Sequence, residues 1–213
     1  MGYSRTSREN TPVVETYKLE NLSKDEILSF AKFASKFTED LAHVNMWHDN
    51  WVDHPNTLPY LIYNSTRFAN GNGQFFVLKI DGIVQAISGV HISSFDTNIA
   101  LGGVRSWISP EYRAKMLIGH HLLPAQLQWA KDNNLKTIAL TFNDYNKRLI
   151  NYFKRSGMGV PKERNPNRLF YNGVYEVPFS INIQYTEQWA IYHKIDESYT
   201  PNWEKIKWST QTA

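Results

Sequence analysis

The stretch 108–158 constrains this chain more than any other part of it. A strand ending in Ile108-Ser109-Pro110 runs into a loop that holds Arg113 and Gly119, followed by a helical stretch through Gln128-Trp129-Ala130-Lys131-Asp132. An apolar strand over 137–141 comes next, and then Asn146 opens a second helical run that stops at Gly157-Met158. A strand feeding a basic loop at a helix start can hold a pyrophosphate, because backbone N–H groups and the helix dipole converge there.

The rest of the chain sets the frame for that segment. The 213 residues fit one domain with a full core, and 42% apolar against 20% charged residues is the balance of a globular protein. The expected organisation is a loose N-terminus over 1–11 and a single domain over 12–213. A net charge of +3, spread among acidic residues, lacks the basic stripe that nucleic acid demands. The absence of cysteine excludes disulfides, thiolate nucleophiles and Cys-based metal sites. No apolar run reaches the roughly 18–20 residues that span a bilayer, and no apolar core follows the basic residues of the N-terminus. The expected compartment is the cytoplasm, with no nucleic acid and no membrane as partner.

Residues 13–19 suit a strand, and Ser23-Lys24-Asp25-Glu26 is a capping box ahead of Ile27, Phe30, Ala31, Ala34 and Phe37 at helical spacing. A second helix is expected over 57–69. Asp81-Gly82 separates two apolar runs as a hairpin turn does, since both turn positions need positive φ. A turn near Asp96-Thr97-Asn98 leads to a strand over 99–108, and two or three strand-like runs fill 169–195. Periodicity alone therefore predicts an α/β fold with a mixed sheet.

In this order, the loop and the downstream Asn-helix-Gly resemble the GNAT superfamily of acyl-CoA-dependent N-acetyltransferases. The resemblance implies a mixed, mostly antiparallel sheet flanked by helices, in the order βααβββαβα followed by C-terminal strands. It also implies acetyl-CoA (or CoA) as cofactor and a small amine as acceptor, with direct attack of the amine on the thioester; the alternative is a protein of the same fold that binds without catalysis. The family's loop is Arg or Gln, two residues, Gly, one residue, Gly or Ala. Here Arg113 matches its start, Gly119 stands six residues later instead of five, and Met116 or Leu117 replaces the first glycine. Pro124 should kink the following helix unless that helix starts later.

Carried onto this sequence, the cofactor would be held by Trp107 and Ile108 at the strand end, by Arg113, Lys115, Ile118, Gly119 and His120 at the loop, and by Asn146 and Phe153 on the second helix. Many relatives have a Tyr that protonates the departing thiolate at the position of Phe153, which cannot donate; adjacent Tyr152 is the candidate, although a core or surface role suits it better. Arg105 stands where relatives often keep a Glu base, so it would fix a substrate carboxylate instead. His91 is then the nearest titratable candidate for the base, against the plainer reading of a structural histidine. Trp47, His48 and Trp51 fall in the region that lines the acceptor site in the family. Although His43, His48, Asp49, Asp53 and His54 crowd one loop, their spacing lacks a helical ligand template, so no metal is expected.

Overall fold

Phe75-Phe76-Val77-Leu78 is apolar at every position, as a strand covered on both faces must be. Phe75 and Val77 enter one buried cluster with Ile27, Phe30 and Trp107, while Phe76 and Leu78 enter another with Leu122, Ile138, Ile150 and Phe153. The sheet thus lies between a layer holding the first helix and a layer holding the two later helices.

The computed structural model describes residues 12–34, 73–93, 96–143, 146–160 and 188–201. Its strands are β1 (Val14–Lys18), β2 (Gly73–Ile80), β3 (Ile83–Ile92), β4 (Ile99–Ile108), β5 (Thr137–Asn143) and β6 (Gln188–Lys194). Its helices are α1 (Lys24–Ala34), α2 (Leu123–Asp132) and α3 (Lys147–Arg155). The six strands form one sheet in chain order, antiparallel throughout except for the parallel pair β4–β5. The helix expected over 57–69, the loop with Trp47, His48 and Trp51, and the strand-like runs over 169–187 lie outside the described residues.

Local signals act as their chemistry requires. The Ser23 amide donates to Glu26 Oε2 at 2.8 Å and the Glu26 amide donates to Ser23 Oγ at 3.3 Å, which closes the capping box. Asp81 and Gly82 take φ of 50° and 79°, the pair of positive values that a two-residue hairpin turn needs.

β4 decides the shape of the site. From Ala100 to Gly102 its residues pair one-for-one with β3, but Gly89 faces Val104 and Ile87 faces Trp107, so β4 carries two extra residues. Each extra residue is a bulge that bends the strand and tightens its twist. Gly103, with φ of 70°, is the residue squeezed out at the first bulge. On its other edge β4 pairs with β5 only at Ile99, Ala100 and Leu101, against Thr137, Ile138 and Ala139. The parallel pairing is confined to 99–101, and the rest of β4 diverges from β5.

Candidate active site

The divergence leaves a cleft of about 490 Å³ between β4 and β5. Its walls are mostly apolar, with Ile118 and Leu123 from the α2 side, Leu140 and Phe142 from β5, and Leu149 and Phe153 from α3. Beyond Leu101 and Ala139 the facing edges of β4 and β5 no longer pair with each other, which suits them to an extended ligand carrying amides.

At its mouth the cleft meets the loop that follows β4. Arg113 lines it and donates from Nε to the Ile108 carbonyl at 3.3 Å. Ala114 and Met116 hold φ of 62° and 58°, values that favour glycine. Leu117 is helical at φ −61°, so Met116 and not Leu117 occupies the place where a glycine would relieve the backbone. The Arg148 guanidinium, from α3, donates to the Ala114 carbonyl at 3.3 Å and ties the loop to that helix. The Lys115 ammonium sits 4.9 Å from the centre of the Tyr112 ring, on the exposed side of the loop.

The helix after the loop starts at Leu117, two residues before Gly119. His120 N–H makes a helical bond to the Met116 carbonyl at 3.0 Å, so the amides of Leu117, Ile118 and Gly119 precede that bond and point out of the helix end. Residues Ile118–Leu122 are wound as a π-turn, with Leu123 N–H donating to the Ile118 carbonyl five residues back. A π-turn holds one residue more than an α-helix would over the same rise. Pro124 follows directly on the π-turn within this continuous run, where its missing N–H takes one bond out of the helical ladder.

Several expected residues come together here. Ile108, Arg113, Ile118, Gly119, Asn146 and Phe153 all line the cleft. Asn146 also caps α3, its side chain accepting from Leu149 N–H at 3.3 Å. Phe153, 4% exposed, stacks on Phe142 with ring centres 4.9 Å apart, an aromatic wall with no proton to give.

Others do not. The Trp107 side chain packs edge-on against Phe30 and Phe33 in the layer of α1, so only its backbone faces a ligand beside β4. Tyr152, next to Phe153 and about 100° further round the helix, presses its ring on Gly119 and sets its hydroxyl 3.4 Å from His120 Nδ1. Neither Tyr152 nor the exposed His120 and Lys115 line the cleft. His91 is 4% exposed on β3, with Nδ1 2.8 Å from the Ile92 carbonyl, and it too lies off the cleft wall. Arg105 falls in the second bulge of β4, and its side chain lies outside the described atoms, as do Trp47, His48 and Trp51 altogether. Among the described residues no group of three or more His, Asp or Glu could hold a metal, and no helix is long and apolar enough to cross a membrane.

A polar cluster that motif spacing does not show lines the narrow end. Gln126, 1% exposed, accepts from Gly103 N–H at 3.0 Å and donates to Ser88 Oγ at 2.7 Å. Ser88 and Ser106 hydroxyls are 2.6 Å apart, and Ser106 donates to the Gly103 carbonyl at 2.9 Å. Leu122, Gln126 and Ala130 recur at i, i+4 on the buried face, so a glutamine within an apolar stripe was the available signal.

The mouth and walls fit an acyl-CoA. Helix-end amides stand at one end, an apolar channel follows, and strand edges along it are released from each other. The model of the acetyltransferase (GNAT) family matches residues 38–158. No curated protein sequence matches the chain. Solved structures resemble it over most of their length. A putative acetyltransferase from Salmonella typhimurium with its cofactor acetyl-CoA is 17% identical, with 89% of this chain and 98% of that one covered at a TM-score of 0.60. The PaiA N-acetyltransferase from Thermoplasma acidophilum in complex with coenzyme A is 15% identical, with 85% and 99% covered at 0.57. Spermidine N-acetyltransferase from Vibrio cholerae, in complex with CoA and spermine, is 14% identical, with 85% and 95% covered at 0.56. At these identities the likeness is one of fold. The family match, over more than half of the sequence, shows that the chain belongs to the GNAT acetyltransferase family.

Proposed function

We propose that this chain is an N-acyltransferase that moves an acetyl group from acetyl-CoA to a small amine. The observation that carries this reading is the end of β4–β5 pairing at Leu101 and Ala139, which opens a channel leading from a helix N-terminus. The amides of Leu117, Ile118 and Gly119, with Arg113, would hold the pyrophosphate. The apolar walls from Leu140, Phe142, Leu149 and Phe153 would exclude water from the arm. Acetyl-CoA supplies an activated acyl carbon: the amine nitrogen bonds to it, the C–S bond breaks, and the amine's proton departs. The protein's contribution is positioning and hydrogen bonding to the carbonyl, with no covalent enzyme intermediate.

The acceptor side would draw on Trp47, His48, Trp51 and Arg105, with Arg105 suited to a carboxylate on the acceptor. His91 is the proposed proton acceptor on β3 and Tyr152 the proposed donor on α3. A second reading, CoA binding without transfer, is favoured by Phe153: a ring without a hydroxyl forms the wall where many relatives carry the thiolate's proton donor. Incubation with acetyl-CoA and a panel of polyamines, amino acids and aminoglycosides separates the two. Release of free thiol together with a 42 Da gain on one amine, about the mass of an added acetyl group, supports transfer. Tight binding with no thiol release supports the second reading.

A further inference from the structure

We propose that Gln126 donates a hydrogen bond to the thioester carbonyl of bound acetyl-CoA, so that α2 supplies a polarising group at the closed end of the cleft. This rests on the acyl-CoA reading above. The orientation of the carboxamide is fixed by its neighbours. Gly103 N–H can only donate, so the amide oxygen faces it at 3.0 Å and the nitrogen faces Ser88 at 2.7 Å.

From there every hydroxyl hydrogen has one place to go. Ser88 accepts from Gln126 and gives its hydrogen to Ser106; Ser106 gives its own to the Gly103 carbonyl. The chain of bonds closes on the residue where it began, using both the N–H and the carbonyl that the bulge at Gly103 takes out of the sheet. Each serine has one hydrogen and spends it. The Gln126 nitrogen has two, and among the described residues the second has no acceptor. Gln126 is 1% exposed and lines the cleft, so bulk water does not meet that demand.

Its place along the cleft selects what meets it. Gly103 lies two residues beyond Leu101, where β4 and β5 part, and five residues before Ile108, where the anion loop begins. With both bulges in it, that stretch faces only Ala86 to Gly89 of β3 and spans roughly 10–13 Å, a distance an extended two-amide arm covers when its phosphate end sits at the helix end beyond Ile108. The far end of that arm is the thioester. Its carbonyl only accepts hydrogen bonds, which matches an unspent donor, and negative charge grows on that oxygen as the amine adds.

Infrared spectra of acetyl-CoA carrying 13C at the thioester carbonyl, with calorimetric titrations of acetyl-CoA and CoA, test this. Bound to the unmodified protein, the labelled carbonyl should absorb at lower wavenumber than in buffer. Gln126→Glu keeps an acceptor for Gly103 N–H but removes the spare donor. It should abolish the shift and weaken acetyl-CoA by about tenfold while changing CoA less than about twofold. Ser88→Ala, which leaves the donor in place, should keep the shift. Where Gln126→Glu does not fold, Gln126→Met, similar in length and without a donor, takes its place. Binding without a shifted carbonyl, or a shift that survives loss of the Gln126 donor, overturns the proposal alone. If neither ligand binds the unmodified protein, the acyl-CoA reading itself falls and takes the proposal with it.

Discussion

The ring of Tyr152 fills the space a side chain at Gly119 would need: a Cβ there would lie 2.6 Å from Tyr152 Cε1 and 2.8 Å from its hydroxyl oxygen. A side chain at Gly119 would therefore have to displace the Tyr152 ring from its packing on the π-turn, whatever the glycine also does for an anion. Gly119→Ala should lower stability despite alanine's higher helix propensity, by about 1–3 kcal/mol of overpacking. Tyr152→Ala in the same chain should recover part of that loss. A double-mutant cycle from urea melts measures the coupling, and additive effects would sink the contact.

Met116 and Leu117 are adjacent, yet glycine should act on them with opposite sign. Met116 holds φ of 58°, where a side chain costs roughly 1 kcal/mol, so Met116→Gly should be neutral or stabilising. Leu117 is already helical at φ −61° and packs against the core, so Leu117→Gly should cost about 0.5–1 kcal/mol in helix propensity besides the lost apolar contact. Thermal melts of the two variants decide it; an equal loss in both would contradict the assigned backbone.

Much of this was legible because it is local. The capping box at Ser23, the turn at Asp81-Gly82 and the cap at Asn146 each depend on residues within four positions, and each forms. The cleft depended on something less local. Two bulges in β4 set where it leaves β5, and one residue too many in a strand leaves no periodic mark beyond the pair Gly102-Gly103. The π-turn left no mark in the sequence, since Ile118 to Leu122 carry no residue that distinguishes an i to i+5 bond from an α-helical one. Trp107 adjoins the cleft-lining Ile108, but alternation along a strand sends its ring to the opposite layer.

One carboxylate ties the first helix to the sheet. Hydrogen bonds from Lys79, then from the Ser23 amide and hydroxyl, hold Glu26 at a pKa of about 2 against an ordinary 4.5. A depressed carboxyl pKa adds stability that is complete above about 4.5 and drains away as pH falls toward 2. The Glu26 side chain is 37% exposed, so solvent screening keeps the effect small. Glu26→Gln should lower the melting temperature at pH 7 and approach the unmodified protein near pH 2. A constant difference across that range would contradict the assignment.

Tyr199 anchors the described C-terminal segment by donating to Asp96 Oδ2 at 2.6 Å, in the turn between β3 and β4. Burial, and then the Asp96 carboxylate, push its hydroxyl well above the ordinary 10. A raised tyrosine pKa means the contribution is intact below pH 10 and is lost only on strong alkalinisation. Tyr199→Phe should cost about 1.5–3 kcal/mol, the range for a hydrogen bond to a charged group, measured by denaturant melts at pH 7. A loss under about 0.5 kcal/mol, the level of an ordinary surface change, would argue against the clasp.

The account turns on whether the cleft between β4 and β5 takes an acyl-CoA. Calorimetric titration of the unmodified protein with acetyl-CoA should give saturable binding at micromolar strength, one ligand per chain. Arg113→Ala should weaken it about tenfold, with the difference shrinking at high salt as screening removes the charge contribution. No heat, and no rise in melting temperature at millimolar ligand, would contradict the account.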